Sequence, residues 1–248
     1  MLYHFYSLII SLFFFASLAA DTTGEQKKPL ALLLFGPSGS GRGVLAVKVC
    51  NIRNMPHITT ADLILDEINE GTELGAIVRE HLNKSGSLSD ELLMDLLLPR
   101  IKKADCSRGF LLNNLPKNIF QAEALKRMLG ASHRIKALSI ITDEEAIAHR
   151  ISGRLVCQSC GRVYHKQLSP PKKAMICDHC GALLAQREDD STMNIKRRLG
   201  EYSKTMEPVF AFYKKENQLE EIDGHLSFDK TFSLIIQASR PQQQKRVE

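Results

Sequence analysis

The stretch FGPSGSGRGV, residues 35–44, follows the apolar run PLALLLF and precedes a segment, residues 39–51, that reads as helix. A short continuous apolar run ending at glycine is the pattern of a parallel strand buried on both faces. Glycines between such a strand and a helix let the backbone close around a phosphate at the helix N-terminus. Measured against the motif G-x-x-x-x-G-K-[ST], Arg42 stands where lysine is wanted, and Gly43 and Val44 follow where a hydroxyl would help hold magnesium. The loop comprises Gly36, Ser38, Gly39, Ser40, Gly41, Arg42, Gly43 and Val44.

Outward from this loop, strand and helix patterns alternate. PHITTADLILDEINEG turns through Thr59 and Thr60 into a helix with Asp62 near its start. Two further helices follow, and Ser89-Asp-Glu caps the second. RGFLLNNLP reads as a second buried strand, residues 118–130 as helix, IKALSIIT as a third strand, and Asp143 opens another helix. Residues 190–217 form a long helix, and residues 219–223 a last strand; the tail RPQQQKRVE reads as disordered. Strands alternating with helices predict an α/β fold, a parallel sheet with helices on both faces.

Cys157-x-x-Cys160 and Cys177-x-x-Cys180 lie sixteen residues apart. Two such pairs make two knuckles whose four thiolates complete a tetrahedral zinc site, without His165 or His179. Two disulfides are the alternative, open to an exported chain, although a bridge within each CxxC would staple little. A closed four-cysteine site shapes a lobe and leaves no open position for catalysis. Cys50 and Cys106 are expected in the core as small apolar residues.

The 248 residues, 44% of them hydrophobic, suffice for one domain with appendages or two small ones. A net charge of +5 suits anionic small substrates as well as nucleic acid, and no nucleic-acid partner is expected. No membrane-length run occurs in the body of the chain, so no stable membrane insertion is expected. The first twenty residues hold no Lys, Arg, Asp or Glu, and the apolar residues 8–20 fit a signal peptide followed by the polar DTTGEQKK. Export to the exterior or a periplasm is the expectation for residues 1–20; an uncleaved anchor and a cytoplasmic protein are the alternatives.

The order of these parts resembles the adenylate kinases of the long type, with a zinc-bearing lid. The resemblance runs from Pro29 to about Gly224 and is carried by GPSGSGRG, PHITTADL, GTELG, GFLLNNLPKNIFQAEAL, HRISGRLVC, GRVYH, QREDD and IKRRLGEY. It implies a P-loop three-layer α/β fold: a core at residues 29–153 and 190–235, a small helical monophosphate-binding lobe at 57–88, and a zinc-type lid at 154–189. It also implies reversible transfer of the terminal phosphoryl group of ATP to AMP or another nucleoside monophosphate, with Mg2+, by a monomer.

On this resemblance Arg42, Arg154, Arg187 and Arg198 are catalytic, and Arg150 joins the loop in binding ATP. Thr60, Lys117, Gln121, Arg187 and Arg198 bind the acceptor, and Cys157, Cys160, Cys177 and Cys180 hold structural Zn2+. The departures from the family pattern cluster. Asn113 replaces an aspartate that orients hydrated magnesium, Leu65 and Lys117 replace arginines at the monophosphate, and Ala61 and Asn114 replace glycines. Two readings follow: a divergent nucleoside monophosphate kinase, or a relative that binds nucleotide without efficient transfer. A purely structural protein fits less well, because clustered lid arginines without a ligand would repel one another.

Overall fold

The structure is a computed structural model that describes residues 28–186, 190 and 192–240. The leader at residues 1–20, Arg187, and the tail from residue 241 lie outside the described residues. Strand β1 (Leu30–Phe35) occupies the centre of a five-stranded sheet. Its neighbours are β3 (Gly109–Asn113) on one side and β4 (Arg134–Ile141) on the other; β2 (His57–Ile58) and β8 (Leu219–Asp223) form the edges. All four pairings are parallel. The register sets Leu34 beside Asn113 and Phe35 beside Ser139, so the ends of three strands meet at the start of the glycine loop.

Side chains alternate across a strand, and β1 feeds two cores. Ala31, Leu33 and Phe35 face a layer with α4 (Asp90–Ile101), α5 (Ile119–Leu129) and α7 (Thr192–Lys215). Leu32 and Leu34 face α1 (Arg42–Arg53) and α8 (Phe228–Ala238) through Leu45, Val49 and Ile235. This is the three-layer α/β arrangement expected, and Cys50 and Cys106 lie in those cores.

Several boundaries differ from the sequence reading. Helix α1 begins at Arg42, not at residue 39, because Gly39 (φ 91°) and Gly41 (φ 84°) hold left-handed conformations that no α-helix contains. The long helix begins at Thr192 and ends at Lys215, with Asn217 turning the chain at φ 54°. Helix α8 was not anticipated, although Thr231 and Ile235 are buried four residues apart, the spacing of one helical face.

Between β2 and β3 the chain forms a hairpin of α2 (Thr60–Glu70) and α3 (Glu73–Ser85). Thr59 opens α2 with a capping box: its hydroxyl accepts from Asp62 N at 3.1 Å, and Asp62 Oδ2 accepts from Thr59 N at 3.1 Å. Helix α6 (Glu144–Ser152) starts at the cap Asp143 and leads into a second, antiparallel sheet. That sheet has order β6-β5-β7, formed by β6 (Val163–His165), β5 (Arg154–Cys157) and β7 (Leu184–Ala185). Its small core contains Leu155, Tyr164 and Leu184 with two of the cysteines.

The α2–α3 hairpin depends on close approach at Gly75, where a Cβ would lie 2.2 Å from the Glu67 carbonyl oxygen. Gly75→Ala must therefore spread the two helices. The expected cost is about 1–3 kcal/mol, as for other overpacked sites, seen as a fall in Tm of roughly 2–10 °C by calorimetry. An unchanged Tm would show that the hairpin yields without strain.

Candidate active site

The loop at residues 36–41 leaves β1 at the carboxyl edge of the sheet and delivers Arg42 to the first turn of α1. That turn carries no acidic residue, so the partial positive charge of its free N–H groups is not offset by a nearby carboxylate. The loop is seated against α6: a Cβ on Gly39 would come within 2.9 Å of Ile147 and Ile151. Beside it lies a cavity of about 190 Å³ bounded by Ser38, Arg42, Asn114, Ile151, Arg198 and Tyr202, among others. The loop, α6 and α7 thus share one recess.

Arg42 reaches across this recess rather than into solvent. Its Nη1 donates to the Gly36 carbonyl and, at 2.7 Å, to Asn114 Oδ1. Burial pulls its pKa below the ordinary arginine value, although the group remains a cation at neutral pH. Burial also pushes the Tyr202 phenol up to about 12, which keeps that wall neutral. Asn113 Nδ2 donates to His57 Nε2 at 2.9 Å, while Asn113 Oδ1 is buried with no hydrogen-bond partner among the described residues. Burial, with the nearby Arg42 charge, holds His57 below its usual pKa and therefore neutral.

The second polar centre is Asp190, whose side chain is 0% exposed. Arg154 grips it with two bonds, Nε to Oδ2 at 3.0 Å and Nη2 to Oδ1 at 2.5 Å. Arg198 Nη2 lies 3.4 Å from the same Oδ1. One buried carboxylate thereby brings the arginine that enters the small sheet beside the one on α7. Arg150 is held differently: its Nη2 donates to the Gly224 carbonyl at 2.7 Å and ties α6 to the turn after β8. Arg187 is outside the described residues.

The residues expected around the acceptor are more dispersed. Thr60 is half-buried at the start of α2, and Lys117 is exposed just after the cis Leu115–Pro116 bond. Gln121 is 2% exposed, and both ends of its amide are engaged: Nε2 donates to Asp90 Oδ1 at 2.6 Å, and Oε1 accepts from Lys117 N at 2.7 Å. Leu65 and Val44 present apolar side chains to solvent, 55% and 50% exposed.

In the small sheet the Sγ atoms of Cys157, Cys160, Cys177 and Cys180 lie within 4.8 Å of one another. None of the six cysteines is bridged. The close pairs are Cys157–Cys180 at 3.4 Å and Cys160–Cys177 at 3.6 Å. The edge of a tetrahedron with Zn–S bonds of 2.3 Å is about 3.8 Å, so the donor set fits zinc. Tyr164 supports it: its hydroxyl accepts from Asp178 N at 2.9 Å and hydrogen-bonds to Cys177 Sγ at 3.5 Å, which pulls the Cys177 thiol down to about 6.

Sequence reasoning did not find Asp190, His57, Tyr164 or the partner of Arg42. Asp190 had a signal in the QREDD string, since a carboxylate next to lid arginines is available to pair with them. His57 and Asn114 had none, because their role depends on which strands are neighbours.

A family description, Adenylate kinase, matches residues 34–218. The chain is 38% identical over 211 residues to an adenylate kinase of Thermoanaerobacter sp. (strain X514), covering 84% of this chain and 97% of that one. It is 38% identical over 213 residues to one of Methanocella arvoryzae, covering 85% and 99%, and 39% identical over 208 residues to one of Clostridium acetobutylicum, covering 83% and 97%. With the parallel sheet, the glycine loop and the cysteine-bearing sheet in the family's order, these matches identify the chain as a member of the adenylate kinase family of phosphotransferases.

Proposed function

We propose that this nucleoside monophosphate kinase transfers the terminal phosphoryl group of ATP to AMP or a related monophosphate in the recess between the glycine loop, α6 and α7. The observation that carries this reading is the convergence of Arg42 and Arg198 on one cavity, with Arg154 joined to Arg198 through buried Asp190. Phosphoryl transfer needs positioned cations more than covalent chemistry, because charge spreads over the oxygens of the moving group.

In this reading the loop amides and Arg42 hold the donor phosphates, and Arg150 lies beside the donor base. Arg154, Arg187 and Arg198 neutralise the transferring group. Asp190 orients two of them and must share them with the incoming phosphates. The acceptor lies toward α2 and α5, where Thr60 and Lys117 meet its phosphate. Reading of the acceptor base by Gln121 requires its amide to exchange Asp90 for the base. Bound magnesium would supply charge neutralisation on the ATP phosphates; Asn113 Oδ1, buried and without a partner among the described residues, is the acceptor this chain would offer to water around the ion. A neutral amide would orient such a water with less attraction than a carboxylate.

Zinc on the four cysteines shapes the small sheet and leaves the chemistry to the arginines. Residues 1–20 serve as an export leader, and the mature chain acts as a monomer.

The full chain, given ATP and magnesium with each nucleoside monophosphate in turn, is expected to form diphosphates. Arg198→Ala is expected to lower kcat about a hundredfold or more, the cost of one aligned donor. Turnover unaffected by Arg198→Ala would remove the recess from the mechanism. ATP binding without diphosphate formation would favour the nucleotide-binding relative.

Elemental analysis is expected to find one zinc per chain, lost in Cys177→Ser with a fall in Tm. A metal-free protein of undiminished Tm would leave the thiol cluster without a metal role. N-terminal sequencing of the protein recovered from its own cells is expected to start after residue 19 or 20; a chain starting at Met1 would reject the leader.

A further inference from the structure

Arg42 and Asn114 both depart from the family pattern, which has lysine and glycine at these positions, and they are bonded to each other at 2.7 Å across 72 residues. Asn114 follows the last residue of β3 and holds φ 61°, while its N–H donates to the Leu34 carbonyl at 3.0 Å. Asparagine is among the few side-chain-bearing residues that tolerate this conformation. The backbone thus keeps a glycine-like turn while the side chain adds an acceptor opposite the loop.

That acceptor addresses a specific difficulty. A lysine ammonium is a compact point charge, whereas guanidinium is a longer planar fork whose usefulness depends on its orientation. Nη1 of Arg42 is taken by Gly36 and Asn114. Nε, on the edge that Nη2 shares, is buried with no partner among the described residues. A buried unpartnered donor costs free energy unless a ligand satisfies it, and the Nε–Nη2 edge is the kind of paired donor that engages two phosphate oxygens at once. Arg42 and Asn114 also border the same 190 Å³ cavity.

We propose that Asn114 is a positioning residue for Arg42: it clamps Nη1 so that the Nε–Nη2 edge is presented to the donor polyphosphate, replacing a lysine–glycine pair by an arginine–asparagine pair. The inference rests on the phosphoryl-transfer reading for its kinetic form. Its structural content is a coupling between two side chains in binding ATP.

The test is a double-mutant cycle in the full chain, with Asn114→Gly, Arg42→Lys and the double variant, beside Asn114→Asp. Glycine takes a positive φ without strain, so Asn114→Gly removes only the clamp. Each single variant is expected to lose tenfold or more in kcat/KM for ATP. The double variant is expected to return to within about threefold of the parent, and Asn114→Asp, which keeps the oxygen, to lose less than Asn114→Gly. Tm measured alongside separates this from a merely structural role, which would move Tm and kcat/KM together. Additive losses in the cycle overturn the inference even where the parent is an active kinase. A parent that binds ATP without transfer ends the kinase reading, and the same non-additive pattern in the ATP Kd then upholds the clamp. A parent that neither transfers phosphate nor binds ATP overturns both.

Discussion

Everything in this molecule is referred to the burial of β1. Five consecutive side chains, Ala31 to Phe35, are 0% exposed, and the strand is hydrogen-bonded on both edges to parallel neighbours. Truncating a buried leucine in such a place costs about 2–5 kcal/mol, a large part of the stability of an ordinary domain. The strand can neither slide nor turn over, since a shift of one residue would exchange the contents of its two cores. Its last residue therefore sets where the chain must turn, and that turn is the glycine loop. The loop's position is inherited from packing; only its conformation is set by its glycines.

Around this fixed point the polar groups are arranged in pairs. Arg42 is held by Asn114, Asn113 by His57, and Arg154 and Arg198 by Asp190. Guanidinium groups gathered without counter-charge would repel one another in a partly buried recess, and Asp190 supplies a buried counter-charge to Arg154 and Arg198. The arrangement is conditional, however. A phosphate arriving between the same arginines competes with a carboxylate that already has its hydrogen bonds. Asp190 thus holds Arg154 and Arg198 side by side, and in the transfer reading proposed above its grip is what must relax as charge develops on the substrate.

Much of this was legible in the sequence. The three interior strands could be placed because each is a short apolar run bounded by polar or glycine residues, and the caps at Thr59, Ser89 and Asp143 mark helix starts by local chemistry alone. The four cysteines were legible for the same reason: their spacing is a local property of two knuckles. What was not legible depends on distant contacts. Arg42 and Asn114 meet because β1 and β3 are neighbours with Leu34 beside Asn113. Read singly, each is a defect in a motif. The sequence pattern starts helix α1 three residues early because helical character in the sequence does not register that Gly39 and Gly41 take left-handed conformations.

The departures from the family pattern therefore have to be weighed by what they touch rather than by how many they are. Arg42 and Asn114 are in contact at 2.7 Å, and on the inference above each compensates the other. Asn113 exchanges a carboxylate for an amide but gains a hydrogen bond to a neutral imidazole and keeps its oxygen without a partner among the described residues. Leu65 is different: it is exposed, and its apolar side chain cannot bring the charge that an arginine would carry there. On the proposed function the lost arginine charge falls on the acceptor side, whereas on the donor side Arg42 keeps a cation. On the proposed function, a site altered in this way changes its choice or grip of the monophosphate before its hold on the triphosphate, because Arg42 still stands at the glycine loop on Asn114, and Arg154 and Arg198 are still joined through Asp190.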